Sequence, residues 1–544
     1  MQLFPLAKRV WLALLVLFCG IYLYGLGSLP LVGSDEPRYA QVAREMFIRG
    51  DLVTPTLGGH TWFEKPALLY WLMMASYKLF GVTEFAARFG PAVCGLLTIL
   101  IVIFVTRRVR LADGNKDSSH EILAGLITAS CIGLVAFSRG ASFDIVVTMT
   151  LTATLGCFIL ADIEADPGKR RLYLLGFFTG VGLSLLAKGL VGIVVPGGVT
   201  GLFFLLQRKW PAREYFTSLL WGAPVTALIA GTWYGPVISH HGWLFINEFF
   251  IQHHFARYVS DKYHHSEPVY YYLLVVWLLV LPWIAYVAGG LIDIVKQRFS
   301  SSSPLAKLDI FAFAWIVFPI VFFSLSGSKL PGYILPAVPG AAILAARKLS
   351  ALEGSASSRW HAFLTSALLF SLAVGSFAMT KPLAGTSLLC AMLVAVPLAI
   401  AGIGAIFLAR QPVGIVTLTC SAWAIAIVVA IRCVAPAVVD QQSMKRPLEE
   451  ARKNGFGTTP VVEMHTIERT TEFYAGDRLM RAPDGEVLKL EGVPQLVEIA
   501  GKKNSPLLVV IPVSLSFQLT SSPDLDARII SSNEAFAVVA VSLK

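Results

Sequence analysis

Apolar stretches recur along the chain as far as residue 432 and then stop. Most are about 17–25 residues long, which is enough for an α-helix to cross the hydrocarbon core of a bilayer. We therefore predict a polytopic α-helical membrane protein with about thirteen transmembrane helices. The predicted spans cover residues 10–27, 86–106, 122–138, 145–162, 172–187, 189–206, 216–234, 270–293, 309–325, 333–346, 360–378, 387–408 and 413–432.

The polar residues between these stretches predict how the chain is oriented. Lys and Arg cluster in alternate short loops, for example at residues 107–110 and 169–171, whereas the opposite loops carry isolated charges. Positive clusters mark the cytoplasmic side, so we predict a cytoplasmic N-terminus. An odd number of spans then puts the tail outside, in the periplasm if the cell has one. Four polar loops share that outer side: residues 28–85, 139–144, 239–268 and 326–332.

The first outer loop and the tail each predict further structure. Within the loop, residues 38–49 and 66–80 are too short to span with confidence, and we predict two helices that lie along the membrane surface. Residues 433–544 contain a candidate helix and three β-rich runs, which predicts a small α/β domain after a transmembrane domain at 1–432. The tail has no nucleotide-binding glycine fingerprint and no nucleophile elbow. We therefore assign it recognition or support, and expect no nucleotide cofactor.

Composition narrows the class of partner. Hydrophobic residues make up 56% of the 544 residues and charged residues only 14%, far below the roughly 25% of a soluble domain. The net charge is +10, but Lys and Arg are scattered without a basic stripe. This distribution argues against nucleic acid and favours membrane lipids and anionic substrates. The seven cysteines have no metal-binding spacing, which is typical of buried apolar residues.

The charged loop after the first span is the main candidate for chemistry. Asp35 and Glu36 are either cap residues of the following helix or functional acids, with Asp35 a general base or an organiser of charge. Tyr39 lies on the same short helix. Arg38 and Lys65 either bind a phosphate or extend their charges to the membrane interface.

Three other outer positions carry unusual charges. Asp144 either forms a local ion pair with Arg139 or brings a second acid to the same cavity. Lys188 lies at an outer helical turn, where positive charge does not mark topology, so a phosphate or an ion pair is expected to hold it. The turn at residues 326–336 breaks a helix with small residues and prolines. Lys329 and Tyr333 add donors there, which predicts an anion-binding turn.

Histidines near residue 253 suggest a metal site. His253 and His254, with Glu64 as a distant partner, either bind a divalent cation or act as hydrogen-bonding groups at the interface. No compact HxxxH or HExxH spacing decides between these alternatives.

Together these motifs resemble the GT-C superfamily of membrane glycosyltransferases, which includes protein O-mannosyltransferases. Within it the chain is most similar to the bacterial 4-amino-4-deoxy-L-arabinose lipid A transferases, which use an undecaprenyl phosphate carrier. The resemblance covers nearly the whole membrane part. It rests on residues 33–40 (GSDEPRYA), 62–66 (WFEKP), 187–189 (AKG), 253–258 (HHFARY) and 329–336 (KLPGYILP).

The resemblance implies roles for most of these residues. Asp35 and Asp144 would be the acids of the site, with Glu36 beside them. Lys65, Arg257 and Tyr333 would contact the donor phosphate, to which the residues themselves add Arg38, Tyr39 and Lys329. Glu64 with His253 or His254 would form the metal site. The expected reaction is an inverting transfer of the sugar from undecaprenyl phosphate to lipid A phosphate at the periplasmic face of the bacterial inner membrane, by a monomer.

Other functions remain open from the sequence. The same superfamily also transfers sugars to protein Ser or Thr and to other envelope glycans. A secondary transporter would also have many helices and intramembrane charges, but it predicts repeated halves and charges near the middle of spans. No repeat is apparent here, and the charges gather at the outer ends. A sensor or an assembly scaffold that uses the soluble tail is a further alternative.

Overall fold

The computed structural model describes residues 3–115, 117–256, 267–300, 303–352, 358–378, 380, 387–503 and 505–544. The chain is a helical, multi-pass membrane protein. Eight helices of the described part are long and apolar enough to cross a membrane, or ten if each of two bent helix pairs counts as one span.

The helices of the membrane part follow the order of the predicted spans. They are α1 (Leu3–Leu23), α2 (Glu36–Arg49), α3 (Leu68–Phe80), α4 (Glu84–Ala112), α5 (Ser119–Ser130), α6 (Ile132–Ser138), α7 (Phe143–Ile163), α8 (Pro167–Lys188), α9 (Val191–Gln207), α10 (Arg213–Phe245), α11 (Tyr271–Leu279), α12 (Ile284–Lys296), α13 (Pro304–Ser324), α14 (Val338–Ala351), α15 (Ser358–Ala378), α16 (Leu388–Phe407) and α17 (Pro412–Val429). A π-helical segment, Ile246–Ala256, follows α10.

Two of the predicted spans are bent rather than straight. The axes of α5 and α6 differ by 59°, and those of α11 and α12 by 120°. The two breaks lie against each other, because the backbone N–H of Ile132 donates to the carbonyl of Leu281 over 3.1 Å. Each break thus satisfies a backbone group that the other frees, as a break inside a membrane protein requires. The indole of Trp283 also donates to the Ser130 hydroxyl over 2.9 Å.

The segment between α1 and α4, which the sequence predicts to be the first outer loop, contains two short helices, α2 and α3, as predicted. Helix α2 has Pro37 in its first turn, where its missing N–H costs nothing, and ends at Gly50 with a φ of 67°. Its apolar face, which includes Val42 and Met46, is fully buried. A two-stranded hairpin follows, with strands β1 (Thr56–Leu57) and β2 (His60–Thr61).

After the membrane part, α18 (Ala435–Gln441) and α19 (Lys445–Ala451) lead into a five-stranded sheet. Its strands are β3 (Val461–Met464), β4 (Lys489–Leu490), β5 (Leu507–Pro512), β6 (Leu525–Ser532) and β7 (Phe536–Leu543). The order is β4-β3-β5-β7-β6. Strand β3 pairs parallel with β4 and β5, whereas β7 pairs antiparallel with β5 and β6. Helices α20 (Thr470–Ala475), α21 (Val493–Lys503) and α22 (Phe517–Thr520) complete this C-terminal unit.

Candidate active site

A cavity of about 420 Å³ brings together most of the predicted site residues. Its walls come from the loop before α2, from Lys65, from the α6–α7 connection, from the end of α8 and from the turn before α14. These segments are far apart in the sequence. The fold therefore brings five scattered motifs to one cavity, whose lining includes Asp35, Glu36, Tyr39, Lys65, Asp144, Lys188 and Tyr333.

Asp35 presents an exposed carboxylate to this cavity. It is the N-cap residue of α2, but its side chain makes no capping hydrogen bond. Its backbone carbonyl instead accepts from the N–H of Tyr39 over 2.9 Å. The carboxylate is thus not used to cap the helix, unlike most Asp side chains at this position.

Glu36, the neighbouring acid, is placed very differently. Its carboxylate pairs with the guanidinium of Arg88 on α4, with Nε 2.7 Å and Nη2 2.8 Å from its two oxygens. It also accepts from the backbone N–H groups of Val32 at 3.0 Å and Ala141 at 2.9 Å. Such a bidentate pair fixes geometry. The Glu36 side chain thus joins the loop before α2, helix α4 and the α6–α7 connection. A catalytic role for Glu36 stays a prediction.

Arg88 was missed by the sequence analysis, although it completes this arrangement. It is buried, and besides Glu36 it donates to the carbonyls of Leu29 at 2.7 Å and Pro30 at 2.8 Å. The available signal was an arginine inside the predicted span 86–106, since buried charges in membrane helices are rarely without a partner.

Tyr39 lies on the buried side of α2 and lines the cavity. Its ring packs edge-on against Phe143, with 4.9 Å between ring centroids. Burial raises the pKa of the phenol well above its usual range, and the nearby charges of Glu64 and Asp35 raise it further. Tyr39 therefore stays protonated and is a hydrogen-bond donor at the cavity wall.

Lys65 is the cation of the first outer loop that lines the cavity. Its Nζ lies 2.9 Å from Glu64 Oε1. Arg38 Nη1 lies 3.7 Å from the other oxygen of Glu64, and the Arg38 guanidinium stacks 5.3 Å from the Trp62 ring. Arg38 and Glu64 are not among the cavity-lining residues. Glu64 thus lies between two cations, of which Lys65 faces the site.

Asp144, Lys188 and Tyr333 form a second charged group in the cavity. The Ser142 hydroxyl caps α7 by accepting from the Asp144 N–H at 3.1 Å. The Asp144 carboxylate forms an ion pair with Lys188, the last residue of α8. The Lys188 Nζ also lies 4.5 Å from the centre of the Tyr333 ring, and the face of an aromatic ring attracts a positive charge. Lys188 is thus a site residue that the sequence analysis singled out without assigning it to the site.

These contacts decide between the two pairings of Asp144 that the sequence left open, and they show where Lys329 lies. Asp144 pairs with Lys188 rather than with Arg139, which donates to the carbonyl of Tyr24 at 2.8 Å. Lys329 is buried and donates to the carbonyl of Ser326 at 2.7 Å. It is not among the cavity-lining residues, whereas Tyr333 is. The turn thus contributes Tyr333, and Lys329 stabilises the turn.

The predicted metal site is only partly within the described residues. Arg257 and the side chain of His254 lie outside them. Among the residues that are described, no group of three or more His, Cys, Asp and Glu side chains is arranged to hold a metal ion. Glu64 lies between Arg38 and Lys65, whose charges compete with a cation for its oxygens. Metal binding by Glu64 with His253 or His254 stays a prediction.

Comparison with known proteins bears on this site. Residues 8–246 match the family model for dolichyl-phosphate-mannose-protein mannosyltransferase. The undecaprenyl phosphate-alpha-4-amino-4-deoxy-L-arabinose arabinosyl transferase of Edwardsiella ictaluri is 31% identical over 346 residues, which is 63% of this chain and 60% of that protein. The protein of the same name from Aeromonas salmonicida is 34% identical over 345 residues, with the same coverage of each chain. The matched part thus spans about 60% of these relatives. The resemblance of this sequence to membrane glycosyltransferases that use lipid-linked sugar donors is confirmed.

Solved structures extend the similarity to nearly the whole chain. ArnT from Cupriavidus metallidurans, in a crystal structure bound to undecaprenyl phosphate, superposes with a TM-score of 0.76 over 97% of this chain and 98% of that one, at 24% identity. The apo crystal structure of the same enzyme gives a TM-score of 0.77. The fold is that of these ArnT structures.

Proposed function

We propose that this protein transfers 4-amino-4-deoxy-L-arabinose from an undecaprenyl phosphate carrier to a phosphate of lipid A. The observation that carries the proposal is the single cavity into which Asp35, Lys65, Asp144, Lys188 and Tyr333 converge. The names of the relatives support this donor and this sugar, and one similar structure holds undecaprenyl phosphate. All of these names describe transferases or bound carrier lipids, which supports an enzyme over a transporter or a scaffold.

The cations of the cavity suit the departure of a polyprenyl phosphate. Negative charge develops on the carrier phosphate as its bond to the sugar breaks. Lys65 and Lys188 supply positive charge there, and Tyr39 and Tyr333 supply hydroxyl donors. In many enzymes, stabilisation of developing charge by pre-positioned groups is the largest single contribution to the rate enhancement. An inverting single displacement, in which the acceptor oxygen attacks as the phosphate leaves, needs no covalent intermediate on the protein.

Asp35 is the acid that is free to act on the acceptor side. It is exposed in the cavity, whereas Asp144 is paired with Lys188 and Glu36 with Arg88. An anionic acceptor such as a lipid A phosphate needs no proton removed, so Asp35 would orient the sugar or the acceptor. With a hydroxyl acceptor, the same carboxylate would act as the general base.

A protein hydroxyl is the second candidate acceptor. The family model that matches residues 8–246 describes enzymes that modify proteins, and an exposed Asp35 would provide the base that a Ser or Thr hydroxyl requires. Lipid A remains the leading acceptor because the sequence motifs resemble those of the aminoarabinose lipid A transferases, and the relatives aligned over 63% of this chain are named for the same donor.

We also propose thirteen spans, with the cavity and the C-terminal unit on the periplasmic side of the inner membrane. Counting each bent pair once and adding α1, α9 and α10 to the eight long helices gives this number. The bent pair α11–α12 supports a full crossing. Tyr272 in its first half bonds the backbone of Leu330 beside the cavity, whereas Asp293 in its second half pairs with Lys348 at the far end of α14. Action as a monomer remains part of the proposal.

Mass spectrometry of lipid A tests the function. A deletion strain is complemented with the wild-type gene or with Asp35→Asn, at matched protein levels. We expect an added pentosamine mass on lipid A with the wild type and its absence with Asp35→Asn. An unchanged lipid A profile in the wild-type strain, with a sugar added to envelope proteins instead, would favour the protein acceptor. A variant that transfers like the wild type would contradict the role of Asp35.

A further inference from the structure

The loop that carries Asp35 is held by a residue of the C-terminal unit. The backbone N–H of Leu31, four residues before Asp35, donates to the hydroxyl of Tyr474 over 2.7 Å. The same hydroxyl donates to Glu84 Oε1 at 3.1 Å. Tyr474 lies on α20, 443 residues away in the sequence from Leu31. The C-terminal unit therefore contacts the loop beside the cavity through the side chain of Tyr474.

The rest of this loop is fastened from the membrane side. Arg88 holds the carbonyls of Leu29 and Pro30, and Glu36 holds the N–H of Val32. Leu31 is the position between these contacts, and its N–H is the group that Tyr474 takes. Backbone groups of four consecutive residues, 29–32, are thus hydrogen-bonded in turn by Arg88, Tyr474 and Glu36. The next three residues, 33–35, are exposed above the cavity.

Glu84 connects the two sets of contacts. It lies one helical turn before Arg88 on α4, so both project from the same end of that helix. Glu84 also pairs with Lys445 of the C-terminal unit, with 2.6 Å between Oε1 and Nζ. Burial raises the pKa of the Tyr474 phenol well above its usual range, and the charge of Glu84 raises it further. Tyr474 therefore keeps its proton and can donate to Glu84 while it accepts from Leu31.

We infer that Tyr474 is a positioning residue for sugar transfer, which sets the loop at residues 31–35 so that the Asp35 carboxylate stays over the cavity. This inference rests on the proposed function. It gives the C-terminal unit a part in turnover that does not require it to touch donor or acceptor. It also explains why this unit lies against the first outer loop, where Arg44 of α2 donates to the carbonyl of Phe473 at 3.4 Å.

The test compares Tyr474→Phe with Lys445→Met in the full-length protein. Tyr474→Phe keeps the ring and removes the hydroxyl. We expect kcat to fall about tenfold, because small displacements of a catalytic group are costly, while KM for the donor is unchanged because Lys65 and Tyr333 do not depend on this loop. Lys445→Met removes the other contact to Glu84 and keeps the Leu31 hydrogen bond. We expect its kcat within about twofold of the wild type.

Hydrogen–deuterium exchange supplies a second readout that does not depend on activity. The peptide containing residues 26–35 should exchange faster in Tyr474→Phe than in the wild type or Lys445→Met, while peptides from α7 stay unchanged. Unchanged exchange in Tyr474→Phe overturns the inference, whether or not turnover falls. If the wild-type protein does not transfer the sugar, the proposed function fails, and exchange alone then decides whether Tyr474 holds the loop.

Discussion

Helix α4 has a buried arginine–glutamate ion pair near each end, but the two pairs contact different parts of the protein. Near its start, Arg88 binds Glu36 through two nitrogens at 2.7 and 2.8 Å. Near its end, Arg110 binds Glu121 in the same way at 2.7 and 3.0 Å. All four side chains are nearly buried. The first pair also binds the backbone of the Asp35 loop and of Ala141, which are cavity walls. Among the described residues, Arg110 additionally donates to the nearby carbonyl of Asn115.

The surroundings of the two pairs differ in the same sense. The far end of the bundle has further ion pairs between helices, including Lys307 with Asp162 at 2.9 Å and Arg347 with Asp309 at 3.0 Å. At the cavity end, Asp35 is exposed, and Lys65 and Lys188 line a space large enough for a ligand group. A buried ion pair between membrane helices is therefore not by itself a sign of function. Function is indicated where charges converge on a cavity and one of them is left available.

The largest effect should come from Asp35→Asn. Among the described residues that line the cavity, Asp35 is the exposed acid. Its removal is expected to lower kcat by about 10³-fold, within the range for loss of an acid–base or charge-organising group. The matched change at the far end is Asp309→Asn, which should leave turnover within about threefold while it lowers stability, because it weakens the pair with Arg347. Turnover of purified protein with a lipid-linked sugar and lipid A measures both. Equal losses in the two variants would remove the distinction between the ends.

A smaller effect is expected from Lys65→Met. The ammonium group is proposed to bind the donor phosphate, and a hydrogen bond to a charged group contributes about 1.5–3 kcal/mol. We therefore expect kcat/KM for the donor to fall about 10–100-fold. Lys307→Met serves as the control, because it removes a lysine that is likewise paired with an acid, but at the far end of the bundle. The assay varies the lipid-linked donor at saturating acceptor, and an unchanged donor kcat/KM in Lys65→Met would place the phosphate elsewhere.

Glu36→Gln should have a still smaller effect on turnover, and it tests the comparison directly. Both Glu36→Gln and Glu121→Gln leave a buried arginine without its anion, so both should lower stability by about 3–5 kcal/mol. Only Glu36→Gln should also reduce kcat, by about fivefold, because only that pair holds the Asp35 loop. Chemical unfolding and turnover of each variant are compared. A similar fall in kcat for Glu121→Gln would show that stability alone explains the loss.

The sequence predicted the helical membrane fold, the short helices α2 and α3, and the meeting of Asp35, Lys65, Asp144 and Tyr333, because helix length and loop charges follow from local composition. It could not predict which charges pair. The bend between α5 and α6 has no proline or glycine at its break to signal it, since Cys131 lies there.

Long-range contacts account for the other differences. Glu36 and Arg88 are 52 residues apart, and Leu31 and Tyr474 are 443 apart. Local sequence patterns do not predict which residues so far apart in the chain come into contact. Lys329 was predicted to bind an anion because its turn is rich in donors. In the structure its ammonium donates to the carbonyl of Ser326, three residues earlier in the chain, and anion binding stays a prediction.

The smallest expected effect on turnover concerns Glu463 on β3, a buried acid outside the helical bundle that accepts hydrogen bonds from the Glu468 N–H at 3.1 Å. Burial raises its pKa from 4.5 to about 8. Between these values the folded protein keeps a proton that the unfolded chain has lost, so stability is full below pH 4.5 and falls as the pH rises toward 8, by at most about 1.4 kcal/mol per unit. Thermal unfolding at pH 5.5 and 8 should show this fall in the wild type and in the exposed control Glu498→Gln, but not in Glu463→Gln. If Glu463→Gln kept the same pH dependence, Glu463 would be ionised in the folded protein. A buried carboxylate would then cost little free energy here even without a neighbouring cation, unlike the carboxylates that pair with arginines of α4.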